Sequence, residues 1–246
     1  MNTINEVNAL TASAPHPRVS TKYRFISSGE FVNDMQSNGW QLVNTTANSR
    51  TGLGKHAMRF RSTDERFKLP SGDFLEVVVL NSHDGTTAFR LSLGIYRLVC
   101  SNGLVVGKDI LPPVSIRHVG YAASKVKTAL NTLLTQADAI KQAVAKLQLR
   151  ELTVEEYIAF VNLALQARGL TPHSVNAEQL HVPRREQDKG VNAWVVLNRI
   201  QEYAIHGFKY VDLAVHEVKT ARAIRGAAPQ IKLNQALFDS MVKIAA

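Results

Sequence analysis

Thiols are almost absent: Cys100 is the only cysteine in 246 residues, so there is no intrachain disulfide and no zinc site built from several thiolates. That usage fits a reducing compartment. Nowhere do 18 apolar residues run together, which excludes a membrane-spanning helix. Between Met1 and Ser20 stand Glu6 and Pro15-His16-Pro17, where a signal peptide would need a continuous apolar segment. The expectation is a cytoplasmic protein with no membrane contact. Acidic residues are also scarce. Twenty Asp and Glu stand against 29 Lys and Arg, a formal charge of +9 that favours polyanionic partners. Hydrophobic residues at 45% suffice for a core, so disordered or low-complexity chains are excluded.

Helical signals open the ordered part. Residues 1–22 are polar and aperiodic and read as a loose N-terminal arm. Ser27 and Glu30 have capping-box spacing, Phe31 and Met35 share a helical face, and Asn38-Gly39 supplies a left-handed stop. A strand follows from Trp40. From Lys55 to Arg61 the residues alternate, with Met58 and Phe60 on one side and Lys55, Arg59 and Arg61 on the other. Phe74–Leu80 is β-branched, His83-Asp84-Gly85 is a turn, and Phe89, Leu91, Leu93 and Ile95 mark the return strand of a hairpin. Gly94 suggests a bulge inside that strand.

Past Pro112-Pro113 the period becomes helical. Val126, Leu130, Leu133, Ala137, Ile140, Val144 and Leu147 predict one long helix backing the sheet. Thr153 and Glu156 cap a second helix that stops at Gly169. Val182–Lys189 reads as a charged linker or exposed loop, and 192–206 and 234–245 as helices. The expected class is α+β: an antiparallel sheet of three to five strands backed by long helices, with a mainly helical C-terminal region. Its parts are the arm at 1–22, a helix and sheet at 23–120, a helical hairpin packing on that sheet at 121–182, and a charged loop with helices at 183–246.

No complete catalytic pattern is present. Gly52-Leu53-Gly54-Lys55 lacks the glycine and the hydroxyl of a phosphate loop, because Ser49 and His56 stand there. Asp73, Glu76 and Asp84 lack the supporting lysine of a nuclease-like cation site, and none of the eight histidines has the helical spacing of a zinc protease. His83-Asp84 reads as turn chemistry and Cys100 as a strand-end thiol. The expectation is therefore no catalytic residue, no metal and no cofactor. What does recur is basic residues on a sheet. Lys55, Arg59, Arg61, Arg90, Tyr96 and Arg97, extended by Lys125 and Lys127, are the candidate nucleic-acid-binding residues. Cations neutralise phosphates and an aromatic ring supports bases.

Several segments carry a resemblance. Lys55–Arg61, Leu80-Asn81-Ser82-His83-Asp84-Gly85-Thr86, Tyr96–Leu104, Ile116-Arg117-His118, Pro183-Arg184-Arg185 with Asp188, and Asn198-Arg199-Ile200-Gln201-Glu202 together resemble an uncharacterised family of phage- and plasmid-borne proteins that includes YafZ, YfjQ and YubP. This chain departs from that pattern after Glu202, where Tyr203-Ala204-Ile205 stands in place of an Asn and a Gly-Gly pair. The resemblance implies carriage by mobile elements, near genes of DNA metabolism or of evasion of host defence. The order of helix, antiparallel strands and backing helix is also similar in outline to single-strand annealing proteins, which form rings around a basic groove. The expected activity is nonenzymatic binding of single-stranded DNA by a homo-oligomer, in recombination or replication. The alternative is an interaction protein that inhibits a host defence factor.

Overall fold

The computed structural model describes residues 8–47, 51–69, 72–96, 103–105, 114–118 and 123–246. The chain divides into two compact units, the first built mainly from residues up to 138 and the second mainly from residues 139–246.

The first unit begins with a short helix, α1 (Asn8–Thr11), followed by α2 (Ser28–Ser37). Ser27 caps α2 by accepting from the Glu30 amide, and the chain leaves through Asn38 and a left-handed Gly39. The strands are β1 (Trp40–Ala47), β2 (His56–Ser62), β3 (Phe74–Asn81), β4 (Phe89–Tyr96), β5 (Gly103–Val105) and β6 (Val114–Ile116). They form one antiparallel sheet in the order β1-β2-β3-β4-β5, with β6 also pairing β4. Period-two alternation gives the sheet a buried apolar face. Phe31 of α2 packs edge-on against Phe60 and Phe89, at centroid distances of 5.5 and 5.2 Å, and so closes α2 over that face. The α+β class with an antiparallel sheet is as the sequence implies.

Four local expectations are corrected. The ladder runs regularly through Gly94, which pairs with Glu76; the bulge lies in β1, between Leu42 and Asn44. A glycine inside a strand is compatible with regular pairing, so its presence alone does not force a bulge. The described part of the N-terminal arm, from Asn8, is packed rather than loose: Ala9 is buried, and the Ala9 carbonyl is bonded by His83. Gly29 permits this approach, since a Cβ there would stand 2.4 Å from the Leu10 carbonyl oxygen. The predicted single long helix is two, α3 (Ala123–Thr135) and α4 (Ala137–Leu149), interrupted at Gln136. Thr132 and Thr135 turn their hydroxyls onto the carbonyls of Thr128 and Thr132, a local competition that weakens the helix where it breaks. The apolar period survives the break and so conceals it.

The fourth correction lies in the second unit, which holds α5 (Val154–Ala167), β7 (Val175–Asn176), α6 (Ala193–His206), β8 (Gly207–Asp212), β9 (Glu217–Arg222) and α7 (Ala227–Ile244). Thr153 and Glu156 form the full capping box of α5. The expected charged linker is a packed segment, because Asp188 is buried and Arg185 is paired to Glu202 of α6. Besides helices, the C-terminal region carries a three-stranded sheet, β7-β8-β9.

Candidate nucleic-acid interface

The sheet face opposite α2 holds three of the predicted cations, Arg59, Arg61 and Arg90, and register fixes their arrangement. Arg61 stands opposite Glu76, and Glu76 opposite Gly94. One row further along, Arg59 faces Val78 and Val78 faces Ser92. In the next row Ala57 faces Leu80, Leu80 faces Arg90, and Arg90 faces Ser115. Arg59, Arg61 and Arg90 therefore project to the same side. Strand spacing alone puts the Cα atoms of Arg59 and Arg90 roughly 12 Å apart. Between them Val78, Leu80 and Ser92 are buried, so the middle of the face is covered.

Arg59 and Arg61 share one carboxylate. Glu76 Oε1 accepts from Nε and Nη2 of Arg61 at 2.8 and 2.6 Å, and its Oε2 lies 3.4 Å from Arg59 Nε. Glu76 is fully buried, while the Arg59 and Arg61 side chains keep 18% and 30% of their exposure. Burial pushes the Glu76 carboxyl upward, against the two guanidinium groups that pull it down. The Arg61 guanidinium also lies 4.2 Å over the Phe74 ring. A cation and an aromatic ring thus stand together at this end of the face.

The remaining candidates fall as follows. Lys55, just ahead of β2, is exposed, as is Arg90. Tyr96 ends β4 opposite Phe74 and Lys125 lies in the first turn of α3, but their side chains are outside what is described. Arg97 lies outside the described residues, as does Cys100. Lys127 is exposed and borders a cavity of about 760 Å³ lined also by Glu30, Asp34, Asp64 and Arg66, the last paired to Asp64, so carboxylates outnumber cations there.

Sequence reasoning missed Arg117, which is exposed two residues beyond Ser115, the partner of Arg90. The two arginines are diagonal neighbours and line an open cleft of about 570 Å³ with Tyr23, Asp84 and His118. Here Tyr23 stacks on His118 at 4.5 Å with 15° between the rings, and its hydroxyl donates to the Ser82 carbonyl. Burial and the nearby Asp84 push the Tyr23 phenol up to about 12, so it stays protonated. Burial raises Asp84, but hydrogen bonds from Thr86 and Ser82 bring it below its ordinary value, and it is ionised at neutral pH. The motif Ile116-Arg117-His118 was visible in the sequence, yet nothing in it revealed that His118 seats Arg24 through both its backbone and its ring.

A buried polar cluster gathers Ser28, His56, Asn81 and His83. His56 Nδ1 donates to the Gly54 carbonyl at 2.9 Å, which leaves Nε2 to accept from the Ser28 hydroxyl at 2.7 Å. Asn81 donates to the same hydroxyl at 3.0 Å. His83 Nε2 donates to the Ala9 carbonyl at 3.0 Å, and its ring lies 4.8 Å from that of His56. Burial holds His56 down to about 4 and lowers His83 and His118 as well. Ser28 and His56 have the polarity of a nucleophile and its base, but they are 0% and 1% exposed, so no substrate atom reaches the hydroxyl. The cluster ties α1, α2 and the β3–β4 turn together. Among the described residues no group of three or more His, Cys, Asp or Glu is arranged to hold a metal ion.

In the second unit the other quoted motifs converge. Arg185 holds Glu202 with two bonds of 2.8 Å, Arg184 lies 4.0 Å over the Tyr203 ring, and Arg199 donates to the carbonyl of Asp188 at 3.1 Å. These motifs brace α6 against the segment before it.

The chain belongs to the family described as Domain of unknown function (DUF932), which matches residues 15–238. Two Escherichia coli (strain K12) relatives, UPF0380 protein YafZ and UPF0380 protein YfjQ, are each 29% identical over 229 residues, covering 91% of this chain and 82% of theirs. No solved structure matches the chain. Among the described residues no helix is long and apolar enough to cross a membrane.

Proposed function

We propose that the protein is a nonenzymatic nucleic-acid-binding protein with a preference for single-stranded DNA, working in the cytoplasm on the recombination or replication of a mobile element. The observation that carries this reading is the register of the sheet, which sends Arg59, Arg61 and Arg90 to one side, with Arg117 beside Arg90. Guanidinium groups suit phosphate oxygens, and the aromatic rings of Phe74 and Tyr23 next to them suit unstacked bases. Exposed bases distinguish a single strand from a duplex for such a surface. Assembly into a homo-oligomer would align several such faces along one strand. Filter binding of labelled single and double strands across a salt series tests the reading. It predicts tighter retention of the single strand, weakening as salt rises.

A second reading, inhibition of a host defence protein, draws on Val154 and Ile158, which lie one turn apart on α5 and are 69% and 50% exposed. Capture from host lysate with and without nuclease separates the two. A partner retained after nuclease treatment and lost in V154D/I158D favours the second reading; a nuclease-sensitive one favours the first.

A further inference from the structure

The cleft beside Arg90 and Arg117 has a shape and chemistry of its own. Its floor is the β3–β4 turn, and one wall is the N-terminal strap around Ser20 and Tyr23, which is held in place by His118. The strap lies close on the turn: a Cβ at Gly85, whose φ is +75°, would meet Val19 at 3.4 Å and the Tyr23 ring at 3.8 Å. Two exposed guanidinium groups stand at one side, a stacked Tyr–His pair at another, and an ionised carboxylate nearby.

Each of these suits one part of a nucleotide. A phosphate dianion matches paired arginines, whose planar donors bind two oxygens at a time. A planar base matches an aromatic stack. A carboxylate accepts from a sugar hydroxyl or an exocyclic amino group but repels a second phosphate. About 570 Å³ lies within the range for small-ligand sites.

We propose that this cleft binds a single nucleotide unit, with its phosphate held by Arg90 and Arg117, its base against the Tyr23–His118 pair and a hydroxyl or amino group on Asp84. The proposal rests on the nucleic-acid reading above and gives it a subsite: one nucleotide of the bound strand is held at Arg90 and Arg117, apart from those at Arg59 and Arg61.

Isothermal titration of the full chain with thymidine 5′-monophosphate, thymidine and inorganic phosphate tests it. The monophosphate should bind about tenfold tighter than either fragment, because it alone engages both the arginines and the stack. The variant R90A/R117A changes two exposed residues and should keep the melting temperature of the native chain while losing that advantage. Asp84→Asn should keep phosphate binding and weaken the monophosphate. Equal affinity for monophosphate and phosphate, or unchanged binding in R90A/R117A, overturns the subsite. An oligothymidine titrated in parallel separates the two readings: if the strand binds and the monophosphate does not, the subsite falls and strand binding stands. If the monophosphate binds and the strand does not, the subsite stands and strand binding falls.

Discussion

Glu76 stands directly across the β2–β3 ladder from Arg61 and takes two of its donors on a single oxygen, while its second oxygen faces Arg59. One buried carboxylate thus sets the orientation of two cations on the sheet face. It also competes with any phosphate for them.

Glu76→Gln removes that charge and leaves two guanidinium groups without it. Breaking a buried pair costs about 3–5 kcal/mol, and the low end applies because both arginines keep contact with solvent. Urea denaturation should show a loss on the order of 3 kcal/mol. In the same variant the freed arginines should retain single-stranded DNA more tightly under conditions where the protein stays folded. Weaker retention would mean that the carboxylate serves the interface by positioning rather than by competing.

The buried histidines predict acid sensitivity of a definite sign. The His56 value of about 4 lies below its unfolded 6.5, so the unfolded chain binds more protons between those values and stability rises with pH there. The contribution is fully present above about 6.5 and is lost as pH falls toward 4, an amount of roughly 3 kcal/mol for His56. His83 and His118 act in the same direction. Urea midpoints at pH 7, 5.5 and 4.5 should fall in that order, and His56→Gln should flatten the slope. A midpoint that stays level from pH 7 to 4.5 contradicts the burial of these rings.

The strap depends on Gly29. In most exposed helices Gly→Ala stabilises, but here the added methyl would meet the Leu10 carbonyl at 2.4 Å. Gly29→Ala should therefore release residues 8–24, raising their amide exchange and their cleavage by protease, while the sheet amides stay protected. An unchanged exchange pattern would place the strap elsewhere.

The strands and helix ends were largely legible in the sequence, for local reasons. Met58, Phe60, Leu91 and Leu93 alternate because one face of the sheet is buried, and Ser27, Thr153, Gly39 and Gly169 mark ends by chemistry within a few residues. The β8–β9 hairpin was hidden because nearly all of β9 is exposed, so no apolar alternation marks it. The break at Gln136 was hidden by an apolar stripe that continues on both sides. The site was half legible: parity along β2 placed Arg59 with Arg61, but joining Arg90 to Arg117 needed the β4–β6 register. Tyr23 and His118 are 95 positions apart in the chain and only folding makes them a pair.

Arg185 and Glu202 make a similar point in the second unit, where the run read as a linker closes a bidentate pair. Among the described residues, Arg185→Ala leaves buried Glu202 with the 3.5 Å contact from Arg184, and should cost about 2–3 kcal/mol. Arg185→Lys should recover less than half of that, since an ammonium cannot reproduce the two parallel bonds. Full recovery by lysine would show that charge alone suffices.

The central claim is that arginines of one sheet face and its adjoining cleft hold the backbone of a single strand, and the salt dependence of binding tests it most directly. Each neutralised single-strand phosphate contributes about 0.7 to the slope of log affinity against log salt. Replacing Arg59, Arg90 and Arg117 by alanine should lower that slope by about 2 and weaken retention of single-stranded DNA, while the fold stays intact by circular dichroism. A native chain that does not bind the strand, or a slope that the triple variant leaves unchanged, contradicts the account.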